Sequence, residues 1–151
     1  MADISIKYIA NNETVRTFVW AVFCEFVAPD YAPEGVKAFY KSIHDEDFLQ
    51  QLGIYGAFLE AKMVGVIATR KADSHIALFF VDGKYQKQGI GRKLFETVKL
   101  NCNSEKMTVN ASPYAVPIYT RLDFHQTEDE QIVSGIRFTP MEILLPQANL
   151  V

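Results

Sequence analysis

The chain has 151 residues, 49% of them apolar, and a formal net charge of −3 from 15 basic and 18 acidic side chains. That length suits one domain with a full-sized core, expected over residues 1–151. The slightly acidic balance offers no electrostatic footprint for nucleic acid, and no apolar run approaches the ~20 residues that span a bilayer.

Asp3 and the lack of a basic, then apolar, leader argue against a signal peptide. Cys24 and Cys102, both expected in helices, have no metal-ligand spacing. A reduced cytoplasmic setting with no metal and no disulfide is the expectation.

In chain order, residues 4–9 alternate Ile4, Ile6 and Tyr8 with Ser5 and Lys7, as a half-buried strand does. Asn11 or Asn12 can cap a helix in which Val15, Phe18, Val19, Val22, Phe23 and Phe26 form one apolar stripe. Pro29 stops it. Pro33 and Glu34 suit the start of a second helix with Val36, Phe39, Tyr40 and Ile43 inward. Asp45, Glu46 and Asp47 can start one more short turn. Residues 53–59 and 63–69 read as a hairpin joined at Glu60-Ala61-Lys62.

Residues 76–81 are an unbroken apolar run, typical of a strand buried on both faces. A turn rich in glycine and polar residues follows, then a helix whose stripe is Ile90, Leu94, Phe95 and Val98. A short strand at 107–110 should lie parallel to the 76–81 strand, because a helix connects them. Ser112-Pro113 opens a helical stretch through Leu122, with Pro117 in its first turn or distorting it. Two strands, 124–133 and 135–145, close the chain, with Pro140 at an edge or a bulge.

The chemistry concentrates at Gln86-Lys87-Gln88-Gly89-Ile90-Gly91. Glycines at a helix start allow a tight turn and a close ligand approach, and the free N–H groups of the first turn favour phosphate oxygens. A P-loop would need Lys-Ser or Lys-Thr after the second glycine, which is absent. A dinucleotide fingerprint would need glycine where Leu94 stands and an acid near Asn110.

What fits is Q-x-x-G-x-G directly after a strand, and the run LFFVDGKYQKQGIGRKLFETV resembles the GNAT N-acetyltransferase superfamily. The element order matches along essentially the whole chain. The resemblance implies an α/β (α+β) fold: a mixed, mostly antiparallel sheet of about seven strands, flanked by about four helices. Two parallel strands would splay apart to admit acetyl-coenzyme A. It further implies cofactor contacts from Phe79, Phe80, Val81, Gln86, Lys87, Gln88, Gly89, Ile90, Gly91, Arg92 and Asn110. An N–H of the strand would donate to the thioester carbonyl, by oxyanion-hole logic. Gly83 departs from the proline common in the family, and Asp123 from the usual glycine before Phe124.

Tyr119 matches the family tyrosine that protonates the departing thiolate; packing against the sheet is the alternative role. The general base is open among Glu25, His75 and Glu128, with Glu25 taken as the second catalytic candidate. Glu25, Asp30, Tyr31 and Glu34 cluster in sequence near the expected acceptor side, which favours a protonated amine. The resulting expectation is direct acetyl transfer to a primary amine in a ternary complex, with a homodimer possible in the family. The alternatives are a coenzyme A-binding module without catalysis, or acetylation of a protein lysine or N-terminus.

Overall fold

The computed structural model describes residues 3–146. Its elements are β1 Ile4–Ile9, α1 Glu13–Phe26, α2 Pro33–Ser42, α3 Glu46–Gln50, β2 Leu52–Leu59, β3 Lys62–Arg70, β4 His75–Val81, α4 Ile90–Leu100, β5 Lys106–Ala111, α5 Val116–Arg121, β6 His125–Gln126, β7 Gln131–Val133 and β8 Ile136–Leu144. Short 3-10 turns lie at Ala28–Asp30 and Gly83–Tyr85.

The strands run in the order β1-β2-β3-β4-β5-β8-β6, with β7 paired to β8. Every pairing is antiparallel except β4 with β5. The described residues hold eight strands rather than seven, because the polar run Thr127 to Glu130 breaks the expected 124–133 strand into β6 and β7.

Helix starts follow the local chemistry. Asn12, not Asn11, caps α1 by accepting from the Val15 N–H at 3.0 Å. Asp45 caps α3 through the N–H groups of Asp47 and Phe48, so the acidic patch does form a helix. Pro117 sits in the first turn of α5, where its missing N–H leaves no bond unmade. That helix is shorter than expected: residues 112–115 form a turn in which Ser112 accepts the Ala115 N–H at Oγ. Cys102 falls just past α4 rather than within it.

Two apolar clusters cover the two faces of the sheet. One packs α1, the C-cap of α2 and α3 through Val15, Val19, Ile43 and Leu49 onto Ile54, Val66 and Leu78. The other packs α4 and α5 through Leu94, Phe95, Val98 and Tyr119 onto Val64, Ile67, Val109 and Met141. At roughly 1.5–3 kcal/mol for each large apolar side chain taken from water, these faces dominate the stability. Tyr8 departs from its expected inward place and is largely exposed on edge strand β1.

Gly35 and Gly135 fix the position of α2. A Cβ on Gly35 would collide with the Gly135 backbone, and one on Gly135 with Glu34 and Gly35. The Ala32 N–H donates to the Gly135 carbonyl at 3.3 Å, so the start of α2 docks backbone to backbone on the β7–β8 turn.

Candidate active site

The parallel strands β4 and β5 pair only at His75 with Thr108 and Ile76 with Val109, and then part towards their carboxyl ends. The Asp82 N–H donates to the Val64 carbonyl at 2.9 Å. By strand alternation, Phe80 therefore also turns its backbone to β3, while Phe79 and Val81 turn theirs into the gap. Phe80 lines the gap's cavity with its side chain instead, on the face of α1 and α2. Of the expected contacts, Phe79 and Val81 thus present backbone to the gap and Phe80 presents its side chain.

A cavity of about 650 Å³ runs through this gap. At one end it meets the start of α4. Gly89 caps that helix at φ +85°, a conformation open to glycine, and a Cβ there would point into open space. The first helical N–H bond returns from Lys93 to Gly89, which leaves the N–H groups of Ile90, Gly91 and Arg92 without helical acceptors. Lys87, Gly89, Ile90, Gly91 and Arg92 line the cavity together with Arg121. Cations and free N–H groups converge there, as phosphate binding requires. Gln88 is exposed and does not line the cavity. Arg92 also donates from Nη2 to the Arg121 carbonyl at 3.1 Å, joining the start of α4 to the end of α5.

Gln86 is committed to the protein itself. Its Nε2 donates to the Val81 carbonyl at 3.0 Å, and its Oε1 accepts from the Tyr114 hydroxyl at 2.7 Å. Tyr114 in turn stacks on Phe26 with centroids 4.9 Å apart. This tether links β4, the β5–α5 turn and the end of α1 across the cavity. Tyr114 was not among the expected site residues. Gly83 accommodates it: a Cβ there would press on the Phe26 ring and approach the Glu25 carboxylate. A larger residue there would make the Phe26 ring shift.

Tyr119, buried from β-sheet to helix, has its ring 5.8 Å from Phe79 and 5.2 Å from Phe124, and it lines the cavity. Burial pushes its phenol far above the ordinary range, so it stays protonated at any working pH. Among the described residues its hydroxyl has no hydrogen-bond partner, nor is it sealed off from solvent. Asn110 is exposed and lines the cavity from β5. Asp123 takes the left-handed φ of +76° after α5, as a glycine would.

The acceptor-side carboxylates do not gather. Glu25 is exposed beside Gly83, and Glu34 is exposed with its stem against Gly135. Asp30 offers its carbonyl to Arg137, whose guanidinium pairs with Glu130 at 3.2 Å. Glu128 accepts from Gln131 on the β6–β7 turn. His75 lies at the closed end of the gap. None of these lines the cavity, whereas Tyr31 does. Burial raises the Tyr31 phenol to about 12.

Among the described residues, no group of His, Cys, Asp or Glu side chains could hold a metal, and no helix is long and apolar enough to cross a membrane. The splayed strands, the glycine-capped helix start and the order of the sheet together frame the site. A family model described as an acetyltransferase (GNAT) domain matches residues 27–145, and the chain belongs to that family. No curated protein sequence matches it.

Among solved structures, a GCN5-related N-acetyltransferase from Rhodopseudomonas palustris is similar at 19% identity and a TM-score of 0.79, covering 96% of this chain and 98% of that one. The paia N-acetyltransferase of Thermoplasma acidophilum, solved in complex with coenzyme A, aligns at 15% identity and a TM-score of 0.71 over 94% and 99% of the two chains. The ribosomal-protein-S18-alanine N-acetyltransferase of Escherichia coli aligns at 17% identity and 0.64, over 99% of each chain.

Proposed function

We propose that the protein is an N-acetyltransferase that moves the acetyl group of acetyl-coenzyme A to a primary amine. One observation carries this reading: the β4 edge that faces the gap at Phe79 and Val81, where Gln86 engages only the Val81 carbonyl, leads directly into the cation-rich, glycine-capped start of α4. An amide-bearing arm can bond along the first, and a pyrophosphate can rest in the second. Lys87, Arg92 and Arg121 supply charge, the α4 N–H groups supply donors, and Asn110 stands on the facing strand.

Acetyl-coenzyme A supplies an activated acyl carbon and a thiol leaving group. An N–H of the β4 edge stabilises the charge that develops on the acyl oxygen. Tyr119 contributes its hydroxyl to the departing sulfur. Its raised pKa makes it a hydrogen-bond donor to a thiolate (ordinary pKa ~8.5) more than a group that gives the proton up. Glu25 is left without a role, because it does not line the cavity.

Calorimetry with coenzyme A, followed by thiol release from acetyl-coenzyme A across an amine panel, tests the reading. Binding with turnover is the expected result. Binding without turnover of any amine would favour a non-catalytic coenzyme A module, and no binding would remove the reading altogether.

A further inference from the structure

We propose that the acceptor is an arylamine that enters uncharged, its ring held among Phe26, Phe39 and Phe80 and its nitrogen met by the Tyr31 hydroxyl. This rests on the acetyl-transfer reading above.

The end of the cavity away from α4 is aromatic. Phe23 stacks on Phe39 with centroids 3.9 Å apart and planes 5° apart. Tyr31 meets Phe23 edge-on at 5.6 Å, and Phe80 meets Phe39 edge-on at 6.0 Å. Phe23 itself is fully buried, between Phe39 and Trp20, and backs the wall, while Phe26, Tyr31, Phe39 and Phe80 line the cavity and offer a flat apolar guest their rings. Tyr31 supplies a polar group at that end, and among the described residues its hydroxyl has no hydrogen-bond partner.

Charge decides the state of the nitrogen. The ionised side chains lining the cavity are Lys87, Arg92 and Arg121, all cations; among the described residues no Asp, Glu or His lines it. An alkylammonium, with a pKa near that of lysine at ~10.4, would be stripped of water without a carboxylate in exchange. An aromatic cage returns roughly 0.5–2 kcal/mol to a cation, less than the several kcal/mol that desolvation of an ion costs. An arylamine delocalises its lone pair into the ring and is neutral at neutral pH. It needs no protein base before attack, which agrees with a cavity that holds none.

In the transfer, the nitrogen lone pair forms the bond to the acetyl carbon while the carbon–sulfur bond breaks and leaves its electron pair on sulfur. Nitrogen loses one proton and sulfur gains one, so the products are an anilide and a free thiol.

The test uses the wild-type protein. Coenzyme A binding is measured first by calorimetry. Thiol-release kcat/KM is then compared for 4-methylaniline, 2-phenylethylamine and putrescine from about pH 6 to about pH 9. Expected are at least about tenfold higher kcat/KM for 4-methylaniline at neutral pH, a nearly flat pH profile for it, and profiles that rise with pH for the alkylamines. Calorimetric binding of 4-methylaniline to the coenzyme A complex should weaken about tenfold in Phe39→Leu or Phe26→Leu. Putrescine turning over as well as 4-methylaniline, or no turnover of 4-methylaniline by a protein that binds coenzyme A, overturns the arylamine proposal while acetyl transfer stands. Absence of coenzyme A binding overturns both.

Discussion

His75 and Thr108 face each other where β4 and β5 still pair, with the imidazole Nδ1 2.8 Å from the threonine hydroxyl. Their contact closes the narrow end of the gap that opens towards the cavity. Burial first, and Arg70 second, hold His75 below the ordinary imidazole range, with Asp73 opposing them. The unfolded chain therefore takes up this proton at higher pH than the folded one does. The resulting stability is complete above the ordinary value of ~6.5 and is lost as pH falls from there through the depressed folded value. Urea midpoints should drop on acidification across that window in the wild type and less so in His75→Gln. Parallel curves for the two proteins would show that another group sets the dependence.

Asp123 occupies φ +76° at the end of α5, a conformation that costs L-residues about 1–2 kcal/mol and aspartate less. Asp123→Gly should raise stability by about 0.5–1 kcal/mol, a gain of a few degrees in Tm, while Asp123→Val should lower it by about 1–2 kcal/mol. Differential scanning calorimetry separates the two. A glycine variant less stable than wild type would mean that the aspartate side chain contributes more than the backbone strain takes away.

Much of this architecture could be read from periodicity, and the exceptions have a common physical cause. The alternation in 4–9 and the stripes of α1 and α4 are local patterns, and those elements form as expected. The glycine pair of α4 likewise carries its own signal, because no other residue suits φ +85° so well. What stayed hidden depends on partners remote in sequence. Gln86 resembles a ligand-binding motif residue, yet Tyr114 and Val81 engage both ends of its amide. Glu25, Asp30 and Glu34 are neighbours along the chain, yet they sit on three separate elements and none lines the cavity. Charge counted along a sequence does not give charge at a site. The 124–133 segment failed differently: its ends are strands, and the acidic residues between them break the pattern.

Gly35 should tolerate nothing larger. A Cβ there would meet the Gly135 carbonyl, which is backbone and cannot rotate away as a side chain could. Gly35→Ala is expected to cost about 2 kcal/mol or more, beyond the gain of roughly 0.5–1 kcal/mol that alanine brings to a helix interior. Since α2 also carries Phe39, amine KM should rise while coenzyme A affinity holds. Equilibrium denaturation and the two binding measurements together distinguish this from general unfolding.

Gly83→Pro bears on the Phe26–Tyr114–Gln86 tether. The substitution brings a Cβ against the tip of the Phe26 ring, and the ring's shift should loosen its stack on Tyr114. The Gln86 bond to Val81 would lose its brace. A drop in quenching and polarisation of tyrosine emission alone would be ambiguous, so the deciding measurement is amide exchange at residues 79–86. Faster exchange there is expected, with exchange in α4 beyond its first turn unchanged.

Tyr119→Phe separates catalysis from packing. The Tyr119 hydroxyl opens to the cavity and has no protein partner among the described residues, so its removal should change stability little. If the hydroxyl serves the departing sulfur, kcat should fall about 10²-fold or more, while coenzyme A affinity stays within about twofold. The ring contacts with Phe79 and Phe124 survive in phenylalanine, so unfolding midpoints should not move downward. Lost stability with unchanged turnover would assign Tyr119 to the core. Lost turnover at constant stability would assign its oxygen to the reaction, because the variant differs from wild type by that atom alone.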